Sequence, residues 1–297
     1  RKWLMDQAEQ LRNLVKKQTR QEHLARVITV TSGKGGVGKS NISLNLAIQF
    51  SRLRKKVVIL DADFGLANIE VMLGIRPQYN LSDVIFRGRN VGEIITKGPG
   101  NIGFVSGGSG IHELANLTSG QLKILVNVMY QLDSIADIII IDTGAGISDN
   151  VMEMILSSAE ILLVATPEPA SITDAYVLLK TLKNQEGYNK DSLKIRLLGN
   201  RTQNREEGRE LFEKLDSVVG KFLEMEMDYM GAVPYDSFLQ KAVMKQRPVS
   251  LAYPNAPSSK AIQELASILE NRSSRHISPA GGGLSGIFSK ILRNHNR

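Results

Sequence analysis

Residues 33–40 read Gly-Lys-Gly-Gly-Val-Gly-Lys-Ser, a spacing suited to wrapping a polyphosphate. Gly33, Gly35, Gly36 and Gly38 let the backbone approach phosphate oxygens closely and, with Val37 between them, aim successive N–H groups at the ligand. Lys39 reaches the terminal phosphates in such a loop, and the Ser40 hydroxyl ligates magnesium. Carboxylates close two further apolar runs. Val57-Val58-Ile59-Leu60 leads into Asp61-Ala62-Asp63, and 138–141, four isoleucines, leads into Asp142. Two acids two residues apart at a strand end point the same way while strand geometry lasts. Beside a phosphate loop they suit a magnesium ion and a hydrolytic water; the plainer reading is an acid pair that caps a turn. Asp142 has the Walker B position, ready to hold the magnesium shell, whereas Asp137 opens its strand as a solvated end.

These residues need a frame. Apolar runs at 27–31, 57–60, 138–141, 161–165 and 193–198 alternate with helical patterns near 40–53, 119–132, 149–158, 171–184 and 205–223. Alternation of this kind predicts an α/β, doubly wound, mostly parallel sheet covered on both faces. The strand before the loop and the helix starting near Lys39 give the motif the context it requires, and the helix adds its positive dipole end. Ser171 and Asp174 read as a capping box opening one helix. Residues 98–110 are glycine-rich around a short apolar strand, and 271–283 form a polar linker.

The 297 residues include no cysteine, which excludes disulfides, thiolate metal sites and a cysteine nucleophile. No apolar run approaches the roughly 20 residues of a membrane span, and no secretory signal is read, so the expected location is cytoplasmic. The chain opens on Arg1 rather than methionine, and its native start is expected upstream. Charge is uneven: residues 1–26 carry seven basic and three acidic side chains and residues 271–297 five basic and none acidic, leaving 25 basic against 27 acidic between them. The body has no basic footprint for DNA, and no nucleic-acid partner is expected.

Lys34, just after the first loop glycine, makes the loop a deviant Walker A motif, and from 26 to 270 the chain resembles the MinD/ParA ATPases. The resemblance implies an ATP- and Mg2+-dependent ATPase that forms a homodimer with ATP, in which Lys34 crosses to the partner's nucleotide; read alone, Lys34 is a solvated loop lysine. It implies a nucleotide-binding set running from Gly33 through Lys34, Lys39 and Ser40 to Asn41. The segment from Asp61 to Asn68 is similar to the family's D-x-D-x-G-x-x-N switch, with Asp61 on magnesium-bound water and Asp63 orienting the attacking water. Asn200 and Arg201 are similar to the segment that reads adenine, and Pro234, Tyr235 and Asp236 to the loop closing over the ring. The family usually has proline at the position of Gly144, so the Gly144–Gly146 switch is expected to be looser here. Lacking cysteine, the chain departs from the iron–sulfur branch of this superfamily.

Each end adds a segment. Leu284, Ile287, Phe288, Ile291 and Leu292 fall at i, i+3, i+4, i+7 and i+8, one stripe of a helix, with Lys290 and Arg293 beside it. At about 20 Å such a helix is too short to span a bilayer. It is expected over 284–297 as an in-plane membrane anchor, or else docked on the body, or each in a different nucleotide state. The anchor reading places the chain reversibly at the inner membrane face, bound to lipid. Residues 1–25 are read as a helical partner-binding extension. There Asp6-Gln7-Ala8-Glu9-Gln10-Leu11-Arg12 resembles the activator helix of the flagellar-number branch of the family. That resemblance implies an FlhF-type GTPase partner, contacted by Asp6, Gln7, Leu11 and Arg12, and flagellar switch (C-ring) proteins as further partners. Alternatives are a division-site or cargo-positioning ATPase, or a weakly hydrolysing ATP-gated adaptor.

Overall fold

The computed structural model describes residues 24–63, 68–107, 118–273 and 283–295. In chain order, β1 (Arg26–Thr31), α1 (Lys39–Arg52), β2 (Val57–Ala62), α2 (Asn68–Leu73), α3 (Leu81–Arg87) and α4 (Val91–Ile94) lead to β3 (Thr96–Lys97) and β4 (Gly103–Ser106). Then come α5 (Ser119–Ile135), β5 (Ile138–Thr143), α6 (Asp149–Ser157), β6 (Glu160–Ala165), α7 (Pro169–Lys183) and β7 (Lys194–Thr202). The last elements are α8 (Arg205–Leu223), β8 (Met227–Pro234), α9 (Ser237–Met244), α10 (Val249–Ala252), α11 (Pro257–Ser273) and α12 (Gly283–His295). The sheet order is β3-β4-β2-β5-β1-β6-β7-β8, parallel throughout except for the β3–β4 pair. The expected doubly wound α/β sheet is therefore what the chain forms.

Its central strands are β-branched and leucine-rich because both faces are covered. Ile28, Val30, Ile59, Ile140 and Leu162 pack under α1 and α11, while Val27, Val58, Leu60, Ile139 and Ile141 face α3, α5 and α12. At the other end, Ile161, Leu163, Ile195 and Leu197 meet α6, α7 and α8. The period-2 alternation within each strand sends neighbours to opposite layers.

Some local expectations are corrected. The helix expected to open with a Ser171–Asp174 capping box begins at Pro169 instead, and Ser171 accepts the Thr166 N–H from inside the helix. Proline at the first helical position needs no N–H partner, which moves the start upstream. Of the linker expected over 271–283, residues 271–273 belong to α11 and Gly283 opens α12, while 274–282 lie outside the described residues. Edge strand β8 and helix α11 were not among the expected elements.

Helix α12 lies against the body. Leu284, Ile287, Phe288 and Ile291 are buried in the same cluster as Leu125, Val128, Met129 and Leu132 of α5, with Ala25 just before β1 and Val27 within it. Its start is held from a distant part of the same chain: Asp133 of α5 accepts the Leu284 N–H on Oδ1 at 2.7 Å. On Oδ2 it accepts the Ser285 N–H at 2.9 Å and the Ser285 hydroxyl at 2.7 Å. A distant side chain thus does the work of an N-cap. Gly283 is needed there, because its φ is 62° and an added Cβ would lie 2.6 Å from the carboxylate. Burial pushes the Asp133 carboxyl upward, and the Ser285 and Leu284 donors oppose that shift.

Candidate nucleotide site

The carboxyl ends of β1, β2, β5, β7 and β8 open onto one crevice, where open α/β sheets bind ligands. The register sets Asp142 of β5 beside Val30 of β1 and opposite Asp61 of β2. Chain leaving β1 turns through Ser32–Gly38 and enters α1 at Lys39. Gly38 sits at φ 99°, and a Cβ there would lie 2.5 Å from Asn200 Nδ2, so this turn admits glycine. The loop is tied to its neighbours as well: Gly146 N–H donates to Ser32 O at 2.9 Å, and Asn200 Nδ2 donates to Val37 O at 2.7 Å.

At the centre, Asp61, Asp142 and Lys39 share a poorly solvated space, with Asp63 at its edge. Asp142 is 0% exposed; its Oδ1 accepts the Ser43 hydroxyl at 2.8 Å. Its Oδ2 is buried with no hydrogen-bond partner among the described residues. Burial raises the Asp142 pKa, and the Ser40 and Ser43 hydroxyls with Lys39 pull it back. Asp61 is pushed up to about 7 by burial and then by the charge of Asp142, against the Ile69 and Asp63 N–H groups it accepts. Burial lowers the pKa of Lys39, which Asp142 and Asp63 oppose. Crowded carboxylates with an unshared buried oxygen are short of positive charge. Together with the Ser40 hydroxyl they form an all-oxygen donor set suited to a hard, octahedral cation that keeps part of its water shell. Magnesium fits these residues.

Asp63 projects at the rim, where Asn68 Nδ2 donates to its Oδ2 at 2.7 Å. Phe64–Ala67 of the expected switch lie outside the described residues. A Cβ on Gly144 would come within 3.4 Å of Asp63 Oδ1, so the missing side chain leaves this carboxylate room. Lys34 Nζ is paired with Glu168 Oε2 of the same chain at 2.9 Å, at the entrance to α7.

A second recess, of about 190 Å³, is bounded by Gly38, Asn41, Asn200, Arg201, Pro234, Tyr235 and Asp236. Leu239 and Gln240 complete it; the sequence reading did not include them. One hydrogen of the Asn200 amide is committed to Val37 O, which leaves the side-chain oxygen and the second N–H for a base edge. The oxygen suits the exocyclic amine of adenine. Asp236 lines the recess but has both oxygens engaged, Oδ1 with Phe238 N–H and Oδ2 with Ser258. Its place is to cap α9 and anchor α11, which holds Pro234 and Tyr235 in position.

The structure thus gathers the P-loop residues, Asp61, Asp63 and Asp142 at one site and Asn200, Arg201, Pro234, Tyr235 and Asp236 at the adjoining one. Ser43, Asn68 and Glu168 join them as contacts. The apolar stripe of α12 lies elsewhere, under α5, and Asp6, Gln7, Leu11 and Arg12 fall outside the described residues. Among those described, no helix is long and apolar enough to cross a membrane.

A ParA family model, described as the NUBPL iron-transfer P-loop NTPase, matches residues 23–270. Antiactivator FleN of Pseudomonas aeruginosa is 40% identical over 250 residues, 84% of this chain and 88% of FleN. Flagellum site-determining protein YlxH of Helicobacter pylori is 32% identical over 271 residues, 90% of each chain. Among solved structures, the cell division ATPase MinD of Pyrococcus furiosus has a TM-score of 0.66 at 26% identity, covering 84% of this chain and all of its own (100%). Septum site-determining MinD of Pyrococcus horikoshii, complexed with Mg-ADP, has a TM-score of 0.66 at 23% identity, covering 84% of this chain and 98% of its own. Iron transfer belongs to the protein that the family description names, since this chain has no cysteine to hold a cluster. With its deviant Walker A loop, its parallel sheet and these relatives, the chain belongs to the ParA/MinD family of P-loop NTPases and is an ATPase.

Proposed function

We propose that this ATPase regulates flagellar number and placement by switching between two states. One is a monomer that keeps α12 folded away; the other is an ATP-bound homodimer that presents α12 to the inner face of the cell membrane. The names of FleN and YlxH support the flagellar reading. The observation that carries the switch is that one stripe has two claimants. Leu284, Ile287, Phe288 and Ile291, whose spacing suits a lipid surface, are the side chains buried against the body. A helix cannot give one face to both.

The energetics favour a switch. Each of these side chains is worth about 1.5–3 kcal/mol when buried, in protein or in lipid, so that contribution largely cancels between the two states. What remains is small: the Asp133 contacts on one side, and on the other about 1 kcal/mol per cation near anionic lipid. Two tails on one dimer raise avidity by about 10²–10⁴, enough to tip the balance.

Hydrolysis is positioning and charge stabilisation with no covalent enzyme intermediate. Lys39 and the loop N–H groups hold the phosphates, while Asn200, Pro234 and Tyr235 hold adenine. Asp63, steadied by Asn68, orients the attacking water. Magnesium, held through Ser40, Asp61 and Asp142, neutralises phosphate charge when bound. Lys34 leaves Glu168 and crosses to the partner's nucleotide; a cation added in this way contributes about 10³–10⁵ in rate in comparable phosphoryl transfers. The segment containing Asp6, Gln7, Leu11 and Arg12 acts on an FlhF-type GTPase, a reading supported by its resemblance to the activator helix, and C-ring proteins are further partners.

The direct test is to delete the gene, restore it as wild type or as Lys34→Ala, and count filaments by electron microscopy. Altered filament number or position, restored by wild type and not by Lys34→Ala, is expected. Unchanged flagella with misplaced division septa would replace this reading with a division-site one.

A further inference from the structure

We infer that Ser43 is a positioning residue for the cation site, holding Asp142 so that one carboxylate oxygen is turned toward the ion. The inference rests on the magnesium-dependent reading above and goes beyond it in assigning a residue outside the P-loop motif. Ser43 lies one turn beyond Ser40 on α1 and is 0% exposed, between Ile42 and Leu44, both equally buried. A fully buried hydroxyl costs stability unless it finds a partner. Its partner is Asp142 Oδ1, at 2.8 Å.

That bond leaves the two oxygens of Asp142 unequal. Oδ1 is occupied from α1, whereas Oδ2 is buried and has no partner among the described residues. A carboxylate at a strand end can rotate about its side-chain bonds, and either oxygen could then turn to a ligand. Fixing Oδ1 removes this freedom and presents Oδ2 in one orientation. The main chain of β5 cannot do this by itself, because it is committed to β1 on one side and β2 on the other. Ser40 also bonds Asp142 in the ligand-free protein, but its hydroxyl is required at the ion, so with the cation bound the restraint falls to the next turn of the same helix. Groups that orient a metal's carboxylate or water ligands typically matter by 10–100-fold in metal affinity.

The test follows binding of a fluorescent ATP analogue to the full chain, first in EDTA and then as Mg2+ is added. Wild type should bind more tightly as Mg2+ rises; a flat wild-type response would overturn the magnesium reading itself. Given a wild-type response, Ser43→Ala should raise the half-saturating Mg2+ concentration about tenfold or more, with binding in EDTA unchanged. In an Asp142→Asn background the same substitution should add no further shift, because its effect passes through that carboxylate. An unchanged Mg2+ midpoint, an equal loss of binding in EDTA, or full additivity with Asp142→Asn would each overturn the role of Ser43. If Ser43→Ala does not fold, Ser43→Cys, of similar volume and a weaker donor, should give an intermediate shift, and a wild-type midpoint would overturn the inference.

Discussion

Lys34 Nζ lies 2.9 Å from Glu168 Oε2 of its own chain, so the residue expected to serve a partner's nucleotide is here paired at home. The pair is solvent-exposed, and the hydrogen bond from Lys34 holds the Glu168 carboxyl below its ordinary range. Exposed ion pairs are weak and screened by salt, so this one is a resting place and not a lock. Lys34→Ala should abolish ATP-dependent dimers, whereas Glu168→Gln should leave dimer affinity within a few-fold of wild type. Analytical ultracentrifugation with Mg2+ and a non-hydrolysable ATP analogue checks both; dimers of Lys34→Ala as tight as wild type would contradict the crossing role.

Asp63 sits at the rim with one oxygen held by Asn68. Asp63→Ala should lower turnover by about 10²–10⁴, the range for a positioned group handling a reacting proton or water. ATP binding should remain, and dimers should accumulate because they no longer reset. Steady-state phosphate release beside a nucleotide-binding curve separates the two effects. Full turnover in Asp63→Ala would remove its assignment.

Asp61 gives a pH prediction. Its pKa is raised from 3.8 to about 7, chiefly by burial and then by Asp142. In the ligand-free protein, the stability it contributes is therefore full below about pH 4 and is lost as pH rises through about 7. Cation binding needs the ionised form and runs the other way. Mg2+ affinity should be roughly tenfold weaker at about pH 6 than at about pH 8, with a proton released on binding near neutrality. Isothermal titration in two buffers of different ionisation enthalpy measures that proton, and Asp61→Asn should abolish both effects.

Asp133 holds the start of α12 through three donors from Leu284 and Ser285. Losing a helix N-cap costs about 0.5–2 kcal/mol, so Asp133→Ala should raise opening of α12 by about 2–30-fold. Amide exchange over 283–295 should quicken by that factor while β5 amides keep their protection. Equal rates in the variant and wild type would show that the carboxylate does not hold the helix.

The phosphate loop was legible from its glycine and lysine spacing after a β-branched run, and Asp61 and Asp142 because each follows an unbroken apolar run, the kind that becomes a strand buried on both faces. Strand β8 was hidden because it is an edge: Asp228 is exposed, Gly231 sits at φ 109°, and its register with β7 shifts twice. Two-residue β3 is too short to leave a pattern. Asp133 reads locally as one more polar residue of an amphipathic helix, and its partners lie about 150 positions away. Glu168 before Pro169 looks like an ordinary helix entry, with nothing local to tie it to Lys34. Ser43 did leave a trace, as a hydroxyl between Ile42 and Leu44 one turn after Ser40. The C-terminal stripe was visible, but periodicity cannot say whether protein or lipid faces it.

That last question carries the account. Co-sedimentation with anionic vesicles, in ADP and in a non-hydrolysable ATP analogue with Mg2+, with and without residues 284–297, tests it most directly. The full chain should pellet with the ATP analogue and stay largely in solution with ADP, and the truncated chain should stay in solution with both. Equal pelleting in the two nucleotides, or pelleting of the truncated chain, would contradict a helix released by ATP.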